Sequence, residues 1–193
     1  ETVLDARSGY TEGTVGFGVD AIGTLGLKLD SSADESGTGL LQRDRETGRA
    51  QDDYGDLGVT AKVKVSNSVL KAGTLMPKLP VVQANDSRLL PQSFQGGWIN
   101  SQEIAGLTLD AGQLSRVNQR DSSDHETMTL TNSSPAARGF TGLGGVDSDE
   151  FNFAGASYKW NDQLTTAYHY GALDNFYKQH ILNVIHVLPL GDK

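Results

Sequence analysis

Period-two alternation constrains this chain more than any other feature. Between Thr11 and Asp30 the residues Val15, Phe17, Val19, Ala21, Leu25, Leu27 and Leu29 all fall on odd positions. Glu12, Thr14, Asp20, Thr24 and Lys28 fall on even ones. A strand sends these two sets to opposite faces, one apolar and one polar, whereas a helix scatters them around its circumference. The pattern returns where Leu57, Val59, Ala61, Val63 and Val65 alternate with Thr60, Lys62, Lys64 and Ser66. It returns again where Ala105, Leu107, Leu109 and Ala111 alternate with Thr108, Asp110 and Gly112. The chain is therefore predicted to be all-β, with about eight strands at 11–30, 57–66, 69–76, 103–119, 125–131, 149–160, 163–175 and 177–188. The last three alternate less cleanly, because Asn183 and His186 interrupt either face.

The connections come in two kinds. Ser66-Asn67-Ser68, Asn161-Asp162 and Leu190-Gly191-Asp192 are short turns of the sort hairpins require. Residues 31–56 and 132–149 are long, rich in Gly, Ser and charge, and without an apolar period. A third connection, Pro77 to Ser101, is long but keeps Leu79, Val81, Val82, Leu89, Leu90, Phe94 and Trp98. Short turns at one end and long loops at the other describe an antiparallel up-and-down meander, the pattern of outer-membrane barrels. Tyr10, Trp98, Tyr158, Trp160, Phe176 and Tyr177 stand near strand ends. That position suits interfacial girdles and the packed ends of a soluble sandwich equally.

Composition excludes several classes. Only 37% of the 193 residues are hydrophobic, and no apolar run approaches the length of a transmembrane helix. A net charge of −8 argues against a nucleic-acid surface, and the absence of cysteine excludes disulfides and thiolate metal sites. His125, His169, His180 and His186 lack metal-ligand spacing, and Asp147-Ser148-Asp149-Glu150 reads as a solvated acidic tip before a cation site. No phosphate-cradling glycine loop and no nucleophile–base pair is apparent, so neither an enzyme nor a cofactor is expected. Glu1 is not an initiator Met and no secretory leader is visible, so the start reads as the middle of a longer chain.

The stretch Ala6-Arg7-Ser8-Gly9-Tyr10-Thr11-Glu12-Gly13-Thr14-Val15-Gly16-Phe17-Gly18-Val19-Asp20 closely resembles the OprD family of outer-membrane porins. The likeness continues through Gly26-Leu27-Lys28-Leu29-Asp30 and Gly37-Thr38-Gly39-Leu40-Leu41. It is strongest at Leu79-Pro80-Val81-Val82 and Asn85-Asp86-Ser87-Arg88-Leu89-Leu90-Pro91-Gln92. The resemblance implies a segment, residues 1–193, of an 18-stranded transmembrane β-barrel in the bacterial outer membrane, with strands missing on both sides. It implies passive, substrate-selective diffusion of small carboxylates or amino acids. The lumen would be narrowed by an inward-folded loop at 77–97, with 31–56 and 132–149 as extracellular loops.

Within that loop the resemblance singles out Asp86, Ser87 and Arg88 as constriction residues. The planar guanidinium fork suits a carboxylate, Asp86 suits an ammonium, and Ser87 can donate or accept. Local pairing of Asp86 with Arg88, which would merely hold the loop, is the plainer alternative. The family also guides carboxylates along a ladder of basic side chains. Lys62, Lys64, Lys28, Arg116 and Arg120 are candidates for such lumen charge, against the plainer reading of each as a solvated surface cation. The Met76-Pro77-Lys78-Leu79-Pro80-Val81 wording is closer to the members favouring cyclic or aromatic acids. The expected partners are outer-membrane lipid, lipopolysaccharide and the solute, with a homotrimer and a monomer both open. Two other classes compete on the alternation alone: a soluble secreted β-sandwich binding glycans or a protein partner through its loops, and a barrel enzyme.

Overall fold

A computed structural model describes residues 2–29, 49–87, 90–120, 122–129, 147–188 and 191. The strands are β1 Thr2–Arg7, β2 Val15–Leu27, β3 Asp53–Val65, β4 Ser68–Leu75, β5 Lys78–Leu79 and β6 Val82–Gln83. They continue as β7 Ser93–Ser101, β8 Leu107–Asn118, β9 His125–Glu126, β10 Phe151–Lys159, β11 Leu164–Leu173 and β12 Tyr177–His186. The main sheet has ten strands, ordered β1-β2-β3-β4-β7-β8-β10-β11-β12, with the short β9 beside β8. Every pairing in it is antiparallel. β5 and β6 form a separate two-stranded ribbon.

Four strands depart from the expectation: the short β5 and β6 within the connection, and β1 and β7 in the main sheet. β1 is short, and its residues Val3, Asp5 and Arg7 mix apolar and charged character on one face, which hides the alternation. β7 occupies residues assigned above to a connection. Phe94 and Trp98 point to one side and Ile99 to the other, so apolar residues stand on both faces and no period-two signal survives. Its existence is settled by register, with β4 on one flank and β8 on the other. Residues 93–97, expected above within an inward loop at 77–97, belong instead to β7. The strand expected at 125–131 is reduced to His125–Glu126 among the described residues. Most of 31–56 and 132–149 lies outside the described residues, and Asp53 already belongs to β3.

Register sorts the side chains into two faces. One row runs Phe17, Val63, Leu70, Ile99, Ala111, Ala154, Tyr170, His180 across eight strands. Its face is apolar and bare: Leu57 and Leu182 are each 73% exposed and Phe17 58%. The β2 residues from Val15 to Leu27 extend about 40 Å along the strand, or about 28 Å in height at a tilt near 45°. That is close to the apolar band of an outer-membrane barrel, about 25 Å tall.

The opposite face is covered. Its parallel row runs Gly18, Lys62, Lys71, Trp98, Gly112, Phe153, Gly171, Gln179. The hydrophobic core sits here, between the sheet and the connection from β4 to β7. Val81 and Ala84 of that connection pack with Leu75, Phe94, Leu114, Val117, Phe151, Phe153 and Leu173 of the sheet. A Cβ at Gly112 would stand 2.5 Å from the Phe153 ring, so this position must be glycine for Phe153 to lie over its neighbour strand.

The β3–β4, β7–β8 and β10–β11 turns cluster at one edge of the sheet, and the long connections leave the other, which also carries the short 174–176 turn between β11 and β12. Glu103, between β7 and β8, binds the neighbouring β3–β4 turn: it accepts from Ser66 Oγ (2.8 Å), Asn67 N (2.9 Å) and Ser68 Oγ (2.8 Å). The Ser68 and Ser66 hydroxyls, in that order, hold its carboxyl below the usual value, with the Asn67 amide adding to them.

Candidate pore constriction

The connection across residues 76–92 lies on the covered face because its sequence supplies both apolar anchors and fixed φ angles. Pro77 is fully buried, and Ala84 N donates to Pro77 O at 2.8 Å, closing the β5–β6 ribbon into a knot. A second closure follows where Gln92 N donates to Asn85 O at 2.9 Å and Gln92 Oε1 accepts from Asn85 N at 3.1 Å. The far tip is tied down as well, since Gln179 Nε2 of β12 donates to Val81 O at 2.7 Å.

Between this connection and the wall formed by β1 to β4 and β7 lies a cavity of about 660 Å³. Asp5, Arg7, Asp20, Thr60, Lys71 and Trp98 line its wall side, and Lys78, Ala84, Asp86 and Pro91 its connection side. The wall charges are largely paired. Arg7 meets Asp5 at 2.6 Å, and Lys62 meets Asp20 at 2.6 Å while donating to Ser8 O at 3.0 Å. Lys62 also lies 5.0 Å from the centre of the Tyr10 ring, and Lys64 5.8 Å from it.

The expected site residues divide as follows. Asp86 is exposed and borders the cavity. Ser87 is exposed and accepts from Arg120 Nη1 at 2.6 Å, the same nitrogen reaching Asn85 Oδ1 at 3.1 Å. Arg88 lies outside the described residues. Lys62 is on the covered face but buried and neutralised by Asp20, so it is no solvated surface cation. Lys64 is exposed, above Tyr10. Arg116 is exposed and donates to His125 O at 3.4 Å, away from Asp86. Arg120 joins the connection to the end of β8, reinforced by Gln92 Nε2 donating to Gln119 Oε1 at 3.0 Å.

Sequence reasoning missed Asp5, Arg7, Asp20, Thr60 and Lys71 as cavity residues. Parity alone could have found Asp20 and Thr60, which share the polar face of their strands with Lys62. Trp98, considered above for a girdle, instead stands on the covered face, and Phe176 packs against the core. Tyr158 and Trp160 do sit together at the short-turn edge, with ring centres 4.7 Å apart.

A family model described as outer membrane porin, OprD family, matches residues 1–193. The porin-like protein GalP of Pseudomonas putida is 39% identical over 191 residues, covering 98% of this chain and 44% of its own length. The crystal structure of Pseudomonas aeruginosa OpdQ is 57% identical with a TM-score of 0.82, over 99% of this chain and 45% of that one. The structure of Pseudomonas aeruginosa OpdK with vanillate is 40% identical with a TM-score of 0.81, over 98% of this chain and 47% of that one. The chain thus spans less than half the length of these relatives, whose family builds 18-stranded barrels. With the family match running from Glu1 to Lys193, and the antiparallel sheet superposing on solved members, this chain belongs to the OprD family of outer-membrane porins.

Proposed function

We propose that this chain forms part of the wall and the constriction of a channel for passive, substrate-selective diffusion of small carboxylates or amino acids. The bare apolar face would meet lipid, including the acyl chains of lipopolysaccharide, and the covered face would line the lumen. The observation that carries this reading is the cavity between the 76–92 connection and the charged wall, on the face opposite the apolar rows. A solute passing there meets fixed charges of both signs, and fixed charges at a constriction are one means by which apertures select. Diffusion of this kind requires no covalent step.

The edges β1 and β12 of the described sheet each carry an unpaired strand side, which hydrocarbon does not tolerate. In an 18-stranded barrel both would be paired by further strands. A soluble β-sandwich is the weaker reading, since it would cover the apolar rows with a second sheet, and the matched relatives are porins. That OpdK was crystallised with vanillate, an aromatic carboxylate, favours the cyclic and aromatic acids suggested by Met76 to Val81.

The constriction assignment rests on Asp86, Ser87 and Arg88. The complete protein reconstituted in planar bilayers tests it. Arg88→Ala should lower anion selectivity and carboxylate flux. Unchanged selectivity and flux would remove Arg88 from the aperture.

A further inference from the structure

The cations that line the cavity, Arg7, Lys71 and Lys78, and Lys62 behind its wall are not equivalent. Arg7 is closed on Asp5, and Lys62 on Asp20. Lys71, also on the wall, meets no carboxylate within salt-bridge distance among the described residues. Its Nζ stands instead 5.6 Å from the centre of the Trp98 ring, its direct neighbour across β4 and β7. Lys78 lies on the connection itself, exposed.

The indole beneath Lys71 is held on two sides. Its Nε1 donates to Asp110 Oδ1 at 2.9 Å, and its ring meets Phe153 edge-on, with centres 6.4 Å apart at 72°. Gly112, opposite Trp98 in β8, leaves room for this arrangement. Asp110 Oδ1 also accepts from Asn100 Nδ2 at 2.8 Å, so two N–H donors engage that oxygen and, among the described residues, no cation does. An ammonium resting on an aromatic face keeps its charge available, because the ring attracts it without neutralising it. An ammonium paired with a carboxylate presents a passing anion with a nearly cancelled field.

We infer, resting on the porin reading above, that Lys71 is the wall residue that meets a solute carboxylate in this cavity, and that Asp110 is a positioning residue that holds it there through Trp98. The inference makes an unusual prediction about sign. Deleting a negative charge from a lumen wall ordinarily favours anions. Deleting Asp110 should disfavour them, because the platform under Lys71 is lost.

The test is the anion-over-cation permeability ratio of the complete protein in planar bilayers, from reversal potentials in a potassium chloride gradient, with benzoate uptake into proteoliposomes alongside. Lys71→Met should lower the ratio roughly fivefold, the scale of one exposed charge–charge contact. Asp110→Ala should lower the ratio and benzoate uptake as well. Asp110→Asn, which keeps an acceptor for the indole N–H and loses only the charge, should retain or raise them, and a fall equal to that of Asp110→Ala would overturn the inference. If Asp110→Ala does not assemble, Trp98→Phe keeps the ring and loses the N–H, and should also lower the ratio. An unchanged ratio in Lys71→Met, or a raised ratio in Asp110→Ala, would overturn the inference while leaving the porin reading intact. Wild-type protein that forms no channels would overturn both.

Discussion

Gln179 on β12 donates its side-chain Nε2 to the backbone carbonyl of Val81 at 2.7 Å, joining residues 98 positions apart in sequence. The bond is partly buried and ties the tip of the 76–92 connection to the far side of the sheet. Val81 rests beside Gly171, whose missing Cβ would otherwise stand 3.0 Å from the Val81 Cβ. The connection is thereby held at both ends of its span across the covered face.

Gln179→Ala should therefore loosen the connection without dismantling the sheet. A net hydrogen bond of this kind contributes about 1 kcal/mol, enough to raise the released population severalfold. Single-channel recordings should show more frequent current fluctuations and a larger mean conductance. A conductance trace indistinguishable from wild type would mean that apolar packing alone fixes the connection.

Gly112 tests the packing of the covered face. Gly112→Val places branched methyl groups where the Phe153 ring now lies, 2.5 Å from the position of a Cβ. Overpacking of this sort costs about 1–3 kcal/mol. The variant should unfold at lower urea concentration, followed by loss of the compact band on unheated gels. Stability equal to wild type would show that both the Phe153 ring and the Gly97 carbonyl, which also stands against that Cβ, can give way.

Glu103 predicts a pH dependence. Its carboxyl is held below the usual value, first by Ser68 and then by Ser66, so its contribution is present above the unfolded carboxylate value. That contribution is lost as pH falls through the lowered folded value. Wild type should be more stable than Glu103→Gln at neutral pH, and the difference should shrink under acid. A difference that is constant with pH would assign the effect to packing of the turn instead of ionisation.

The long strands were legible because their two faces differ. β2 and β3 alternate cleanly, since one face is apolar and the other carries Asp20, Thr60 and Lys62. β7 was not legible, because the connection buries Phe94 from the face where polar residues would be expected. The same cover explains Gly112 and Gly171, strand positions that sit beneath rings and the Val81 side chain.

The site was legible in outline only. Asp86 and Ser87 could be named from resemblance, and Asp86 does border the cavity. Arg120, a candidate lumen charge by sequence, holds Ser87 from 33 residues away, a partnership no local spacing reveals. The neutralisation of Lys62 by Asp20, against the availability of Lys71, depends on strand register and on which carboxylate lies across it. Sequence parity gives the face of a charge but not whether a partner cancels it.

The central claim is that the covered face conducts solute while the bare face meets lipid. The 193 residues contain no cysteine, so single-cysteine mapping needs only that any cysteine elsewhere in the complete protein be replaced first. Asp86→Cys and Val59→Cys, made in the complete protein in bilayers, would be exposed to a charged, membrane-impermeant thiol reagent during current recording. Modification should change conductance at Asp86→Cys and leave it unchanged at Val59→Cys. A current that responds at Val59→Cys and not at Asp86→Cys would contradict the assignment of the two faces.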